Sequence, residues 1–267
     1  MKYYLTLSLI ALSTLFNLSQ ASAQKTDTIR PGNHQLQTRY LTTGLKQYLV
    51  YFQDSKAPKT MRYSLWLRNV AKINRGGQAL YAITQHWYAQ DTAAYRYIYS
   101  LNRQADFAPV YHTETIGSKT KAYNWYADHM VSADTVAGNL QKNFSLKFNE
   151  PNFNRNLDIE TYEMLPLAAG KTFAISFYDA GLTPPQYEVL KVTGSEVLTT
   201  LDNRKVDCWI LATKSEHNNV VYTQTYWISK LGHEMLKEED SFGGRYRYKV
   251  NLPGLAPDVL QHFAPAQ

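Results

Sequence analysis

The 267-residue chain is 44% apolar and 13% aromatic, carries a formal charge of +6 and has one cysteine, Cys208. A single cysteine excludes an internal disulfide, and a chain of this length can bury an ample core without one, in one large domain or two smaller ones. Its bases are scattered among acids except at Arg245, Arg247 and Lys249, which argues against the clustered footprint of a nucleic-acid binder.

Residues 1–23 read as a secretory signal peptide. Lys2 gives the positive start, residues 5–18 an apolar stretch broken only by hydroxyl residues and one Asn, and Ala21-Ser22-Ala23 a small-residue cleavage pattern after Ala23. Loss of Lys2 with no acid brings the charge to +5. No later segment reaches the roughly 18 apolar residues of a membrane-spanning helix, and no cysteine follows the cleavage site to take a lipid. The expectation is export to the periplasm or cell envelope as a protein not integral to the membrane, for which nucleic acid is a poor partner.

From there the pattern is period-two alternation between turn signals, the mark of an antiparallel meander. Predicted strands cover 47–53, 61–73, 79–90, 95–102, 110–116 and 121–129, then 171–178, 186–192, 206–214, 220–229, 234–239 and 245–251. Turn chemistry separates them at Arg75-Gly76-Gly77, Gly117-Ser118, Asp202-Asn203, Asn218-Asn219, Gly232-His233 and Gly243-Gly244. Most of the tyrosines fall inside these runs, where aromatic side chains suit a pleated surface. Phe173, Ile175 and Phe177 share one strand face. Tyr246, Tyr248 and Val250 similarly oppose Arg245, Arg247 and Lys249, so both strands are expected to cover a core on one side. Val206, Cys208, Ile210 and Ala212 oppose Trp209 and Leu211, as in a strand covered on both sides; Cys208 reads there as a small buried hydrophobe.

Residues 134–167 break the pattern. They are rich in Asn, contain Pro151 and Pro166, and hold at 158–165 a short helix with Asp158 as its predicted cap. The organisation read from this is a signal peptide (1–23), a first β half (24–133), a loop with a short helix (134–167) and a second β half (168–267). The fold class is all-β: a large antiparallel meander curved into a half-barrel or incomplete barrel, with the mid-chain loop and helix covering it, or alternatively a linker between two halves.

No motif read from the sequence carries catalysis. Gly117-Ser118 and Gly194-Ser195 lack the flanking glycine of a hydrolase elbow, and there is no phosphate-cradling loop or dinucleotide fingerprint. His233-Glu234-Met235-Leu236-Lys237 has Lys where a metalloprotease needs its second His, in a segment that reads as a turn entering a strand. His112 and Glu114 project from one strand face, the placement a metal or acid/base pair would need; a plain hydrogen-bonded pair is the simpler reading. His86 and His129 lie near strand ends and would join them only if the fold brought them together. The acids of residues 237–240 read as a solvated run. Arg245, Arg247 and Lys249 read as edge-strand charges that block aggregation, or as a surface for lipid headgroups. Trp66, Trp87, Trp125, Trp209 and Trp227 fall one to a strand and are the candidates to line an apolar cavity, or simply to fill the core.

Several segments resemble exported proteins grouped as domain of unknown function 3108. They are Tyr187-Glu188-Val189, Gly194-Ser195-Glu196-Val197, Val206-Asp207-Cys208-Trp209-Ile210-Leu211, Tyr226-Trp227-Ile228-Ser229-Lys230 and Met235-Leu236-Lys237. Leu165-Pro166-Leu167, Gly170-Lys171 and Phe107-Ala108-Pro109-Val110 fit as well, so the resemblance spans about residues 36–252. It implies no catalytic residue and no cofactor. The pattern is also similar to periplasmic lipoprotein carriers, in which an incomplete barrel wraps a helix and holds acyl chains, and this likeness implies residues 134–167 as the covering element. The functional expectation is a non-enzymatic envelope binding protein that holds a lipid-like or apolar ligand on a curved sheet. The alternatives are an envelope scaffold that holds a partner protein by a sheet edge or its Tyr-rich face, an outer-membrane barrel, or an enzyme with a site assembled from scattered residues such as His112 and Glu114.

Overall fold

The structure, a computed structural model, describes residues 25–253 except 183 and 218; the signal-peptide reading lies outside the described residues. The strands are β1 (Thr26–Ile29), β2 (Gly44–Asp54), β3 (Met61–Arg75), β4 (Gln78–Ala89), β5 (Arg96–Arg103), β6 (Pro109–Ile116), β7 (Lys119–Trp125) and β8 (His129–Ser132). They continue with β9 (Ser145–Lys147), β10 (Phe153–Asn154), β11 (Thr172–Tyr178), β12 (Gln186–Thr199), β13 (Lys205–His217), β14 (Val220–Ser229), β15 (Met235–Phe242) and β16 (Arg245–Asn251). Among the described residues one α-helix, α1 (Asp158–Glu163), interrupts them.

All these strands belong to one sheet, ordered β1-β11-β12-β13-β14-β15-β16-β2-β3-β4-β5-β6-β7-β8-β9, with β10 beside β11. Every pairing is antiparallel except that β1 and β10 lie parallel to β11. The sheet does not close into a barrel. Pairing of β16 with β2, from Arg245 opposite Asp54 to Asn251 opposite Tyr48, joins the chain's two β regions into one continuous surface.

Local chemistry explains the hairpins. Gly76-Gly77 and Gly243-Gly244 all take positive φ, between 57° and 81°, which a two-residue hairpin turn requires and glycine adopts freely. The predicted strand 121–129 divides because Tyr126 N–H bonds the His129 carbonyl at 2.9 Å and turns the chain between β7 and β8. β12 runs past its expected end to Thr199 through a register shift between Val192 and Gly194, as a bulge permits.

The core lies on the concave side, where α1 fills the half-barrel. Ile159, Tyr162, Met164 and Leu165 pack with Phe173, Ile175 and Phe177 of β11, Leu211 and Tyr226 of β13 and β14, and Val50 and Trp66 of β2 and β3. The helical cap falls earlier than expected. Asn154 Oδ1 accepts from Asn156 N–H at 3.0 Å and opens a 3₁₀ turn at Arg155–Leu157 that leads directly into α1, so Asp158 is already helical.

β16 reverses its expected orientation. Lys249 is buried on the concave side and Arg247 is half-buried beside it, while Tyr246 is exposed on the other side. β16 is also central, between β15 and β2, and not an edge. The run 237–240 is likewise not solvated, since Glu238 and Asp240 are buried. The physical reason is mutual: the inward acids of β15 face the inward bases of β16.

Candidate functional site

Three acids of α1 meet bases delivered by the surrounding elements. Arg68 of β3 forks onto Glu160, with Nε donating at 2.9 Å and Nη2 to the second oxygen. Lys46 of β2 holds Glu163 at 2.7 Å, and Glu163 also accepts the Met235 N–H at 3.0 Å. Arg155 reaches Asp158 at 2.9 Å and Glu188 of β12 at 3.2 Å, and the Tyr162 hydroxyl donates to Glu188 at 3.1 Å. Deeper in the sheet, Glu238 pairs with Lys249 and, at 2.6 Å, with Arg247, which also holds Asp240.

Arg68, Glu160, Lys249 and Glu238 are each no more than 2% exposed, so these are interior pairs. Burial works against the charge of Asp158, yet Arg155, Lys249 and Arg68 pull its carboxyl down to about 2. Burial and the neighbouring Glu238 push Asp240 up to about 7, and burial lowers Lys249. An ion pair this dry adds little net stability over apolar packing but strongly penalises any arrangement that separates the partners. Its consequence is one orientation of α1 in the half-barrel.

The five tryptophans take different places. Trp66 and Trp87 stack on the concave side with ring centroids 3.7 Å apart, and Trp209 packs against the same core with Lys230 over its ring. Trp227 lies on the convex side with Cys208 and Leu236 and donates to Glu196 at 3.1 Å. Burial raises the Cys208 thiol to about 11. Trp125 joins Phe148 and Tyr178 and lines a cavity of about 470 Å³ at one mouth of the half-barrel. The structure therefore does not gather the five into one cavity.

His112 and Glu114 do share the concave side of β6 but not a site. Asn154 Nδ2 donates to His112 Nδ1 at 2.9 Å, with Ser100 Oγ 3.0 Å from the same nitrogen, while Glu114 pairs with Arg96. His86 bonds the Tyr95 hydroxyl at 2.7 Å, and His129 pairs with Asp128, so neither joins them. His233 Nδ1 bonds the Glu163 carbonyl at 3.0 Å in the turn before β15. Among the described residues no group of three or more His, Cys, Asp or Glu converges as metal ligands would.

The outer face of β16, β2 and β3 is the surface that sequence reasoning misplaced. Tyr248 lies opposite Tyr51, which lies opposite Tyr63, and the Tyr248 and Tyr51 rings stack at 4.8 Å. Parallel rows run Tyr246, Gln53, Met61 and Val250, Leu49, Leu65, Tyr88. Tyr63 and Met61 are 52% and 55% exposed, Leu49 and Tyr246 37% each. Of the charges bordering the patch, Lys237 pairs with Glu239 at 2.6 Å and Arg245 with Asp54 at 3.4 Å, while Lys56 and Lys59 stand exposed in the turn between β2 and β3. An exposed apolar patch that is contiguous across three strands marks an interaction surface.

A family described as protein of unknown function, DUF3108, matches residues 47–251. The chain belongs to this family. The matched span runs from within β2 to the last residue of β16, so the DUF3108 unit includes α1, its ion pairs and the outer tyrosine rows, and leaves out β1. Comparison with curated proteins finds no match. Among solved structures the chain is similar to a beta-barrel-like protein of domain of unknown function DUF1849 from Brucella abortus, with 9% identity and a TM-score of 0.51, over 79% of this chain and 97% of that one. At that identity the likeness is one of fold. It agrees with the open half-barrel seen here.

Proposed function

We propose that this DUF3108 protein is an exported cell-envelope binding protein that holds a partner protein on the outer, tyrosine-rich face of its half-barrel. The observation that carries this reading is the contiguous patch formed by exposed Tyr63, Tyr246, Met61 and Leu49 with half-buried Tyr51 and Tyr248. Tyrosine combines large contact area with a polar tip and few rotamers to freeze, which suits interfaces. The other envelope reading, an apolar ligand held on the concave face, finds that face filled by α1 and its core.

The choice of occupant follows from shape and charge. Two convex faces meet along a line, so a second copy buries little here, whereas a concave or extended partner covers the rows fully. A membrane surface is disfavoured because Lys237 and Arg245 are paired with acids, and the exposed Lys56 and Lys59 of the β2–β3 turn fall short of the roughly four to eight clustered bases that hold anionic lipid.

The test is site-specific photo-crosslinking in envelope preparations from a photoreactive residue placed at Tyr63, with Lys72 as a control. One reproducible partner captured from Tyr63, not from Lys72, and lost in a Met61→Ser/Tyr246→Ser background supports the reading. No capture, equal capture from both positions, or a product of two copies of this chain overturns it.

A further inference from the structure

A second cleft opens on the convex side, between the β3–β4 hairpin and the loop after β8. Its volume of about 520 Å³ falls in the range of small-ligand sites. Alternation along β4, β5 and β6 turns Leu80, Leu101 and Tyr111 away from α1, where they gather with Tyr99 and Val110 into an apolar cluster separate from the core around the helix. That cluster is the floor. Arg75 and Gln78 stand on the hairpin side, and Ala133, Thr135 and Val136 on the loop side. The cleft is also separate from the tyrosine patch, because β3 carries Met61 and Tyr63 at its start and Arg75 at its last position.

The charge of the cleft has one sign. None of its lining residues is acidic, and its base is Arg75, which is exposed and forms no ion pair among the described residues. The guanidinium acts on the floor: burial raises the pKa of the Tyr111 hydroxyl, and the Arg75 charge draws it back. Asp134 belongs to the loop but is engaged elsewhere, with Oδ1 accepting from Ser132 Oγ at 2.6 Å and from Asn143 N–H at 3.4 Å.

We propose that this cleft binds a carboxylate carried on a short apolar body, the carboxylate on the Arg75 guanidinium and the body over Leu80, Leu101, Tyr99 and Tyr111. A planar guanidinium matches a carboxylate geometrically and stays charged at any physiological pH. Water screens an exposed guanidinium, so the ion pair alone binds weakly, and burial of the apolar body on the floor supplies the rest. A cationic ligand would meet Arg75 with no acid to offset the repulsion. A polyanion such as nucleic acid needs clustered bases, and this lining holds one.

The experiment is titration of the ¹⁵N-labelled mature protein with octanoate and, separately, with 3-phenylpropanoate, read at the backbone amides of Leu101, Val110 and Tyr111. The expected result is saturable shifts there with at least one probe, with affinity at least fivefold weaker for the matching neutral amide, octanamide or 3-phenylpropanamide, and at least fivefold weaker in Arg75→Gln. The tighter probe tells an aliphatic body from an aromatic one. No saturable shift at these amides with either probe overturns the proposal, as does a smaller difference in either comparison. The acid-against-amide comparison uses the unaltered protein and so holds whatever Arg75→Gln does to the hairpin.

Discussion

Trp66 and Trp87 stack face to face on adjacent strands, nearly parallel with an interplanar angle of 5°, and each carries a cation over its ring. Lys249 lies 4.6 Å from the Trp66 ring and Arg96 lies 4.2 Å from the Trp87 ring. Each contact of this kind is worth up to about 2 kcal/mol when desolvated. The stack links β16, β3, β4 and β5 across the concave side, so it couples the two β regions.

Two indoles this close should give an exciton couplet in circular dichroism. Replacing either ring, as Trp66→Phe or Trp87→Phe, should abolish the couplet while leaving the β signal intact, and Trp66→Ala should cost about 3–5 kcal/mol in urea denaturation. A couplet that survives both single Phe substitutions would rule out this pair as its source.

Arg68 and Glu160 test what the buried charges do. Glu160→Gln leaves the Arg68 guanidinium buried beside a neutral amide, with Asp158 3.9 Å away as its remaining acid, and should cost about 3–5 kcal/mol. Replacing both, as Arg68→Met/Glu160→Leu, removes the uncompensated charge and should restore most of that loss. Urea denaturation of Arg68→Met, Glu160→Leu and the double variant forms the cycle; simple additivity would mean the pair does not act as a unit.

How far this interior could be read beforehand differs between elements. Strand positions, hairpin turns, the half-barrel class and the helix inserted at 158–165 follow from period-two alternation, Gly-Gly turns and the break in pattern at 134–167. β1 and β10 escape because each is too short to show alternation and pairs parallel with a distant strand, β11. The orientation of β16 escapes for another reason. Tyr246, Tyr248 and Val250 against Arg245, Arg247 and Lys249 sets an apolar face against a basic one, and binary patterning turns the apolar face inward. Glu238 and Asp240 on the neighbouring strand invert that choice, and inter-strand pairing is invisible one strand at a time. A signal was present nonetheless: Arg68 shares a strand face with Trp66 and Val70, and α1 holds Asp158, Glu160 and Glu163 in six residues. Charges at core positions of both a strand and the inserted helix point to a paired interior.

Asp240 makes stability pH-dependent in a stated direction. Its folded carboxyl titrates at about 7, above the unfolded value near 3.9, so between these values the folded state binds more protons and stability falls as pH rises. Asp240→Asn mimics the neutral form. Its stability relative to the parent should therefore improve from pH 5 to about pH 7 and level off above that in denaturant titrations. A difference that stays constant over that range would show that Asp240 does not titrate there.

His112 acts with the opposite sign. Because Asn154 Nδ2 can only donate, Nδ1 of His112 accepts and the proton sits on Nε2. Burial, then the nearby Arg96 charge, push the imidazole down to about 3, while the unfolded side chain titrates near 6.5. Below the unfolded value the unfolded chain takes up a proton that the folded one refuses, so this contribution to stability is lost as pH falls from about 6.5 towards 3. The imidazole resonances of His112 should stay fixed between pH 5 and pH 8, while those of the half-exposed His129 serve as a comparison. His112→Gln, which keeps a neutral acceptor, should remove this share of the acid sensitivity. A His112 resonance that titrates near 6.5 would show that its neighbours do not hold it neutral.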